Sequence, residues 1–374
     1  MTDSRLEEPE SLLDLGFLES DVPSWTLASR FFHSKVGGLP PWLAREDIPN
    51  DLECGVCEDR LVFLLQVYAP IEEDPSAFHR SLYVFMCRKP SCHASPDTSQ
   101  TFRVLRSQLP RSNPFYPFDP PLLSSNWRQD LSQERHLQLC RLCGAGASNK
   151  TCSGCKEAKY CSKEHQTADW KSGSHKAECQ SPSKSVPLIS LYAPTYLLPE
   201  YELLMESGDE DSLSEEEEDS EDEEDVNVEA EIVKAEALSN KNLSAEEISK
   251  ALGFEMKEDK VFDKFQRCVK NAPDQVVRYS RGFEPLWISS EGRPNSIPDC
   301  ELCGSSRKFE FQIMPQLLGS LQLGEETLGE DSVDWGILGI YTCSVSCSEG
   351  KAYKTEYLFR QNPDNKKDKN ETHN

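Results

Sequence analysis

Residues 140–179 read CRLCGAGASNKTCSGCKEAKYCSKEHQTADWKSGSHKAEC. Four close pairs of thiol and imidazole side chains lie in this stretch: Cys140-x2-Cys143, Cys152-x2-Cys155, Cys161-x3-His165 and His175-x3-Cys179. A C-x2-C knuckle turns both thiolates toward one point, and a tetrahedral zinc ion needs two such pairs. Two ions therefore account for all eight side chains. Alternating pairs couple most tightly when the sites interleave. That assigns Cys140, Cys143, Cys161 and His165 to one ion, and Cys152, Cys155, His175 and Cys179 to the other. The stretch has almost no aliphatic residues to bury, so metal binding has to supply its folding free energy.

A disulfide cluster is the competing reading of the same cysteines. Disulfides persist in oxidising compartments, and the opening MTDSRLEEPE is acidic and polar, without the apolar stretch of a secretory signal. The order C-x2-C, C-x2-C, YC, H-K-x2-C, with Trp170 between, resembles a MYND finger. That family usually carries cysteine where this chain has His165, and imidazole is an ordinary zinc ligand.

Around this segment the chain is sparing in apolar residues. Hydrophobic residues make up 37% of the 374 and mean hydropathy is -0.61, so a good part of the chain is expected to be solvated. The longest apolar run, LVFLLQV at 61–67, is far short of the roughly 18 residues of a membrane span and suits a strand. No membrane is expected as a partner. The 15 cysteines, mostly paired, point to metal in a reducing compartment, so a soluble intracellular protein is expected, cytoplasmic and with a nuclear pool that suits either functional reading below. Formal net charge is -25, and residues 206–225 hold 14 acids with no Lys or Arg. Such a block repels itself and buries nothing, so 206–229 is expected to be a disordered acidic linker. It serves either as a solubilising spacer or as an electrostatic lure for a basic partner. Nucleic acid is not that partner, because its phosphates are repelled. Ser207, Ser212, Ser214 and Ser220 each have an acid three residues on and resemble casein-kinase-type sites, where phosphorylation deepens the charge.

The remaining cysteines fall into two groups that look alike. Cys54-x2-Cys57 precedes LVFLLQVYAP, SLYVFMC and Cys87-x4-Cys92; Cys300-x2-Cys303 precedes KFEFQIMP, DWGILGIYTC and Cys343-x3-Cys347. Each is a knuckle, a β-rich run ending in Pro, a loop, another β-rich run and a closing pair. This predicts an internal repeat whose halves pack as one antiparallel β domain, since neither half alone offers a large core. The two outer quartets suit either zinc-ribbon sites or buried free thiols. Near the start, Gly37-Gly38 allows a turn with positive φ and Pro40-Pro41 an extended exit. Trp25, Phe31, Phe32 and Trp42 are expected in the core, and His33 has no acid or cysteine at ligand spacing. Past the acidic tract, Ser244 and Glu247 form a capping-box pattern with Gly253 near the stop. Val261, Phe262, Phe265, Cys268 and Val269 then recur at helical spacing, and Pro273 and Gly282 suit the start and end of another helix. The expected fold class is α+β: a split antiparallel β domain built from two Cys-containing repeats, with an inserted finger and an acidic linker. Its parts are 1–130 for the N-terminal half, 140–179 for the finger, 206–229 for the acidic tract, and 240–360 for helices and the C-terminal half.

SKVGGLPPWL, LLQVYAP, AFHRSLYVFMC, YCSKEHQTADW, RYSRG, PLWIS, FEFQIMPQLL and DWGILGIYTC occur in that order, and together they resemble the programmed cell death protein 2 family. The resemblance implies a dedicated chaperone of ribosomal protein two of the small subunit, binding its client during or soon after synthesis and serving 40S ribosome biogenesis. It implies support of proliferation and survival through that role. An acidic partner suits such a client, whose basic extensions stay unfolded until they meet RNA. Between Cys140 and Cys179 there are seven Lys or Arg and four acids. Two zinc sites, each with three thiolates and one imidazole and so about -1, leave the finger near +1, a poor footprint for DNA. A MYND finger resembles a module that takes proline-rich peptides; a structural brace between the β halves is the other reading.

Two further classes compete. MYND fingers occur in lysine methyltransferases, but the chain has no Gly-rich cofactor loop, P-loop, H-E-x-x-H or G-x-S-x-G, so no enzyme is expected. The alternative is a finger scaffold recruiting transcriptional co-repressors, linked to regulation of apoptosis. The basic cluster NKKDKN near the tail is too weak to establish nuclear import.

Overall fold

The apolar runs singled out above become neighbouring strands. In the computed structural model, which describes residues 13–95, 97–122, 138–146, 150–173, 175–180, 196–208, 259–323 and 333–362, these strands close into a barrel. They are β1 (Asp14–Glu19), β2 (Lys35–Val36), β3 (Val62–Tyr68), β4 (His79–Met86) and β5 (Phe102–Leu109). A separate short ladder in the finger pairs β6 (Lys150–Thr151) with β7 (Lys159–Tyr160). The barrel continues with β8 (Tyr201–Ser207), β9 (Val277–Tyr279), β10 (Arg307–Ile313), β11 (Ile337–Cys343) and β12 (Lys354–Gln361). Its order is β1-β8-β2-β3-β4-β5-β12-β11-β10-β9, antiparallel throughout, with β9 pairing back onto β1. Closure removes the exposed sheet edges that invite aggregation.

Strand alternation explains why β4 is buried along its whole length. Leu82, Val84 and Met86 point into the barrel core, while Tyr83 and Phe85 join a second cluster outside it with Trp42, Phe63, Tyr116 and Tyr353. In β3 the register shifts between Phe63 and Leu65, so that Leu64 and Leu65 both reach the inner core. β10 shifts likewise between Phe309 and Phe311. There the extra residue is Glu310, fully buried beside the inward Phe311. A third cluster covers the outside of the second half, where Phe265 and Cys268 of helix α3 (Lys260–Asn271) meet Leu286, Trp287, Ile288 and Met314. Helices α1 (Lys163–Lys171) and α2 (His175–Cys179) belong to the finger.

Several expectations change. The class is predominantly β rather than α+β: among the described residues, α3 is the single α-helix outside the finger. The helix expected between Pro273 and Gly282 is instead β9, because Val277 and Arg278 pair with both β1 and β10. Phe262 is exposed, so the buried face of α3 is narrower than its sequence suggests; Trp25 is also exposed at its edge of the fold. Glu206 and Ser207, expected in the acidic linker, belong to β8 and pair with Leu15 and Asp14. The rest of the tract, the capping-box segment at Ser244 and the basic tail cluster lie outside the described residues. β1 sits between β8 and β9, while β8, which follows the finger, pairs with β2. Each half of the barrel is thus completed by a strand from beyond its own stretch of sequence.

Candidate metal centre

The two finger knuckles are built from one backbone turn. The carbonyl of Cys140 accepts from Gly144 N–H at 2.8 Å and that of Cys152 from Lys156 N–H at 2.9 Å. The turn closes because Gly144 (φ 70°) and Lys156 (φ 59°) take the left-handed conformation. Glycine adopts it without strain and lysine does not. The β6–β7 ladder then returns the chain to Cys161. Ser162 caps α1 by accepting from His165 N–H at 3.1 Å, which sets His165 on the first helical turn beside Cys161. In α2, His175 and Cys179 are four residues apart and so share a face.

The structure brings together the two quartets that the spacing assigns. Cys140, Cys143, Cys161 and His165 form one group, and Cys152, Cys155, His175 and Cys179 the other, with the donor atoms of each group within 4.8 Å of one another. Cys143 and Cys161 sulfurs are 3.7 Å apart, and those of Cys152 and Cys179 are 3.8 Å apart. A tetrahedron of zinc–sulfur bonds near 2.3 Å has edges of about 3.8 Å, so the donor sets fit zinc. Hydrogen bonds from Cys143 and Cys161 hold the Cys140 thiol far below its ordinary range, while the same contacts raise Cys143. Burial works against charge on His165, but hydrogen bonds to Cys140 and Cys161 push it up to about 9. Protons are thus shared among crowded donors that a cation would replace.

An ion-pair lock that spacing did not reveal holds the finger together. Asp169 of α1, fully buried, accepts from Arg141 Nε at 2.9 Å and from the Tyr160 hydroxyl at 2.9 Å. Arg141 also pairs with Glu178 of α2. One arginine in the first knuckle therefore ties down both helices; an acid in each helix opposite a lone arginine among the ligands was the available signal. The finger in turn docks on the first half of the barrel. Trp42 Nε1 donates to the Gly144 carbonyl at 2.7 Å, and Gly146 N–H to the Pro49 carbonyl at 2.9 Å. His33, which has no acid nearby in sequence, meets Glu202 of β8 at 2.5 Å. On its outer side, α1 forms a shallow groove of Lys163, Glu164, Thr167, Ala168, Lys171 and Tyr196.

Sequence comparisons agree with this layout. Models described as the N-terminal and C-terminal domains of programmed cell death protein 2 match residues 12–122 and 259–362, and the MYND finger model matches 140–179. A MYND finger binds zinc. Programmed cell death protein 2 of Rattus norvegicus is 42% identical over 363 residues, covering 93% of this chain and 96% of that protein. Programmed cell death protein 2-like of Homo sapiens is 26% identical over 84% of this chain and 85% of its own length. The Schizosaccharomyces pombe protein named "Probable 20S rRNA accumulation protein 4" is 22% identical over 84% and 87% respectively. No solved structure matches.

Proposed function

The chain belongs to the programmed cell death protein 2 family, and on that premise we propose that it is a chaperone dedicated to a basic protein of the small ribosomal subunit, ribosomal protein two. The fission-yeast relative, named for accumulation of an rRNA species, carries this reading toward ribosome assembly. The charge of the chain supports it: 14 acids within residues 206–225, and -25 overall. Acidic segments attract basic, unfolded extensions over a Debye length of about 8–10 Å and hold them in a salt-dependent way. Phosphates of RNA then compete the client away during assembly. In this reading the two Cys-containing halves are a repeat, the barrel recognises the client specifically, and the acidic tract grips its basic tail. Capture takes place in the cytoplasm as the client is made, and a nuclear pool accompanies delivery. No catalysis, DNA contact or membrane contact is involved, and any effect on cell death follows from failed ribosome assembly.

The finger takes two zinc ions, one in each quartet of three cysteines and one histidine. Its contacts through Trp42 and Pro49, both in the first half of the barrel, support a bracing role there. The groove beside α1 leaves a face for proline-rich peptides.

Mass spectrometry of proteins co-purifying with the tagged chain, with translation running and briefly blocked, tests the proposal. The expected result is one small-subunit ribosomal protein that dominates and falls when synthesis stops. Chromatin regulators in its place would sink the chaperone reading and favour a co-repressor scaffold. A deletion beginning at Asp209, which spares β8, is expected to weaken capture at low salt and to matter less at high salt.

A further inference from the structure

Eight cysteines outside the finger gather into two more quartets. Cys54, Cys57, Cys87 and Cys92 form one, and Cys300, Cys303, Cys343 and Cys347 the other, each with its sulfurs within 4.8 Å of one another. Both occupy the same place in their half of the barrel. The knuckle lies just before β3 or β10, and the third cysteine closes β4 or β11, whose last residues pair with the first of the preceding strand: Val62 with Met86, Arg307 with Cys343. Each quartet therefore spans the open end of a hairpin, opposite its turn.

The backbone of these outer knuckles repeats that of the finger. The Cys54 carbonyl accepts from Glu58 N–H at 2.9 Å and the Cys300 carbonyl from Gly304 N–H at 2.8 Å. In all four knuckles the donor lies four residues after the first cysteine and has positive φ: Glu58 at 62°, Gly144 at 70°, Lys156 at 59° and Gly304 at 71°. Two of these are not glycine, and an L side chain in that conformation costs about 1–2 kcal/mol. A turn repeated four times, twice within a finger of a zinc-binding family, and kept against that cost at Glu58 and Lys156, is a turn shaped for metal.

The sulfur spacing gives independent support. Cys57 and Cys87 are 3.8 Å apart, Cys300 and Cys347 3.8 Å, and Cys303 and Cys343 3.5 Å, close to the tetrahedral zinc–thiolate edge of about 3.8 Å. Cysteines acting as small apolar side chains would be buried together, yet Cys303 is exposed and still turns its sulfur to the group. Four thiolates and a divalent ion leave a charge near -2, and cations stand beside both quartets. Arg106, fully buried, donates to the Cys347 carbonyl at 3.1 Å and approaches its sulfur at 3.7 Å. Lys89 follows Cys87 by two residues and pairs with Asp59 of the first knuckle at 2.8 Å. Arg106 is also paired with Glu356, as Lys89 is with Asp59, so these outer partners hold the ligand segments in place rather than cancel the thiolate charge.

We propose that both outer quartets are structural zinc sites with four thiolate ligands each, clips that lock the open ends of the β3–β4 and β10–β11 hairpins. Softness of the ligands and tetrahedral spacing select zinc over harder cations.

Metal content of the full chain, purified without added metal, tests this directly. Elemental analysis is expected to find about four zinc ions per chain, two of them beyond the finger. Cys57→Ser and Cys303→Ser are each expected to lower the content by about one. Alkylation of the wild-type chain guards against misfolded variants: Cys303, though exposed, is expected to resist a thiol reagent until a strong chelator is added. About two zinc ions in the wild type, or prompt alkylation of Cys303 in the untreated protein, would overturn the proposal.

Discussion

Replacing Glu310 by glutamine is expected to cost the barrel about 3–5 kcal/mol, the usual penalty for stripping a buried charge of its partner. Glu310 and Arg80 are both fully buried and meet across the barrel, although three strands separate β4 from β10. Arg80 Nη1 and Nη2 donate to the two carboxylate oxygens at 2.7 and 3.0 Å. Tyr279, Arg281 and Thr342 donate to the same carboxylate. Burial by itself would raise the Glu310 pKa, but the Arg80 charge and hydrogen bonds, with Arg281 and Thr342, bring it down from 4.5 to about 2. At about 1.4 kcal/mol per pKa unit this displacement amounts to about 3 kcal/mol, at the lower end of the mutational expectation. Because the folded value lies below the unfolded one, the stabilisation is complete above about pH 4.5 and is lost as pH falls toward 2. Thermal unfolding followed by circular dichroism at pH 7 should show Tm lowered by roughly 6–12 °C for 3 kcal/mol. The variant should also lose less stability than wild type between pH 4.5 and 2. Replacing both partners with apolar residues (Arg80→Met with Glu310→Leu) should recover part of the loss. A Tm shift under about 2 °C, or an unchanged acid profile, would refute the claim that this pair joins the halves.

Chelation at neutral pH should release the finger while the barrel centre persists. Amide exchange in 140–179 is expected to become fast, with the middle of β4 still protected, and equal loss of protection in both would count against a metal-dependent finger. Trp42→Ala should cost about 3–5 kcal/mol, since the ring is buried against Tyr83, Phe85 and Tyr353 and holds the Gly144 carbonyl. Faster exchange in the first finger knuckle would mark its undocking. Gly37→Ala should lower Tm far more than Gly304→Ala. Both have positive φ, but a Cβ at Gly37 would lie 1.9 Å from the Pro199 carbonyl oxygen, whereas none of the surroundings of Gly304 comes within 4 Å; equal shifts would contradict that packing.

What can be read without coordinates is short-range. Spacings of two to four residues place thiols and imidazoles on one side of a turn or a helical step, and the eight finger residues meet in the same two groups that spacing assigns. Short runs rich in Val, Ile, Phe and Tyr likewise mark β3, β4, β10 and β11, because each strand carries its own apolar residues. The stretch between Pro273 and Gly282 misleads by the same logic, since a few residues between proline and glycine look like a helix until β1 and β10 claim Val277 and Arg278.

The tertiary structure decided everything that depends on residues far apart in the chain. No local pattern says that β1 closes against β9, or that β8 leaves the edge of the acidic tract to pair with β1 and β2. The partners of His33, Arg80 and Arg106 lie 169, 230 and 250 residues away. Charge alone could not pick Glu310 or Glu356 from 65 acids, because only closure of the barrel removes water from these two and makes pairing obligatory. Knuckles and strands follow from the sequence because their energetics are local. The barrel, its buried ion pairs and the seat of the finger follow from burial, which exists only once the whole chain has folded.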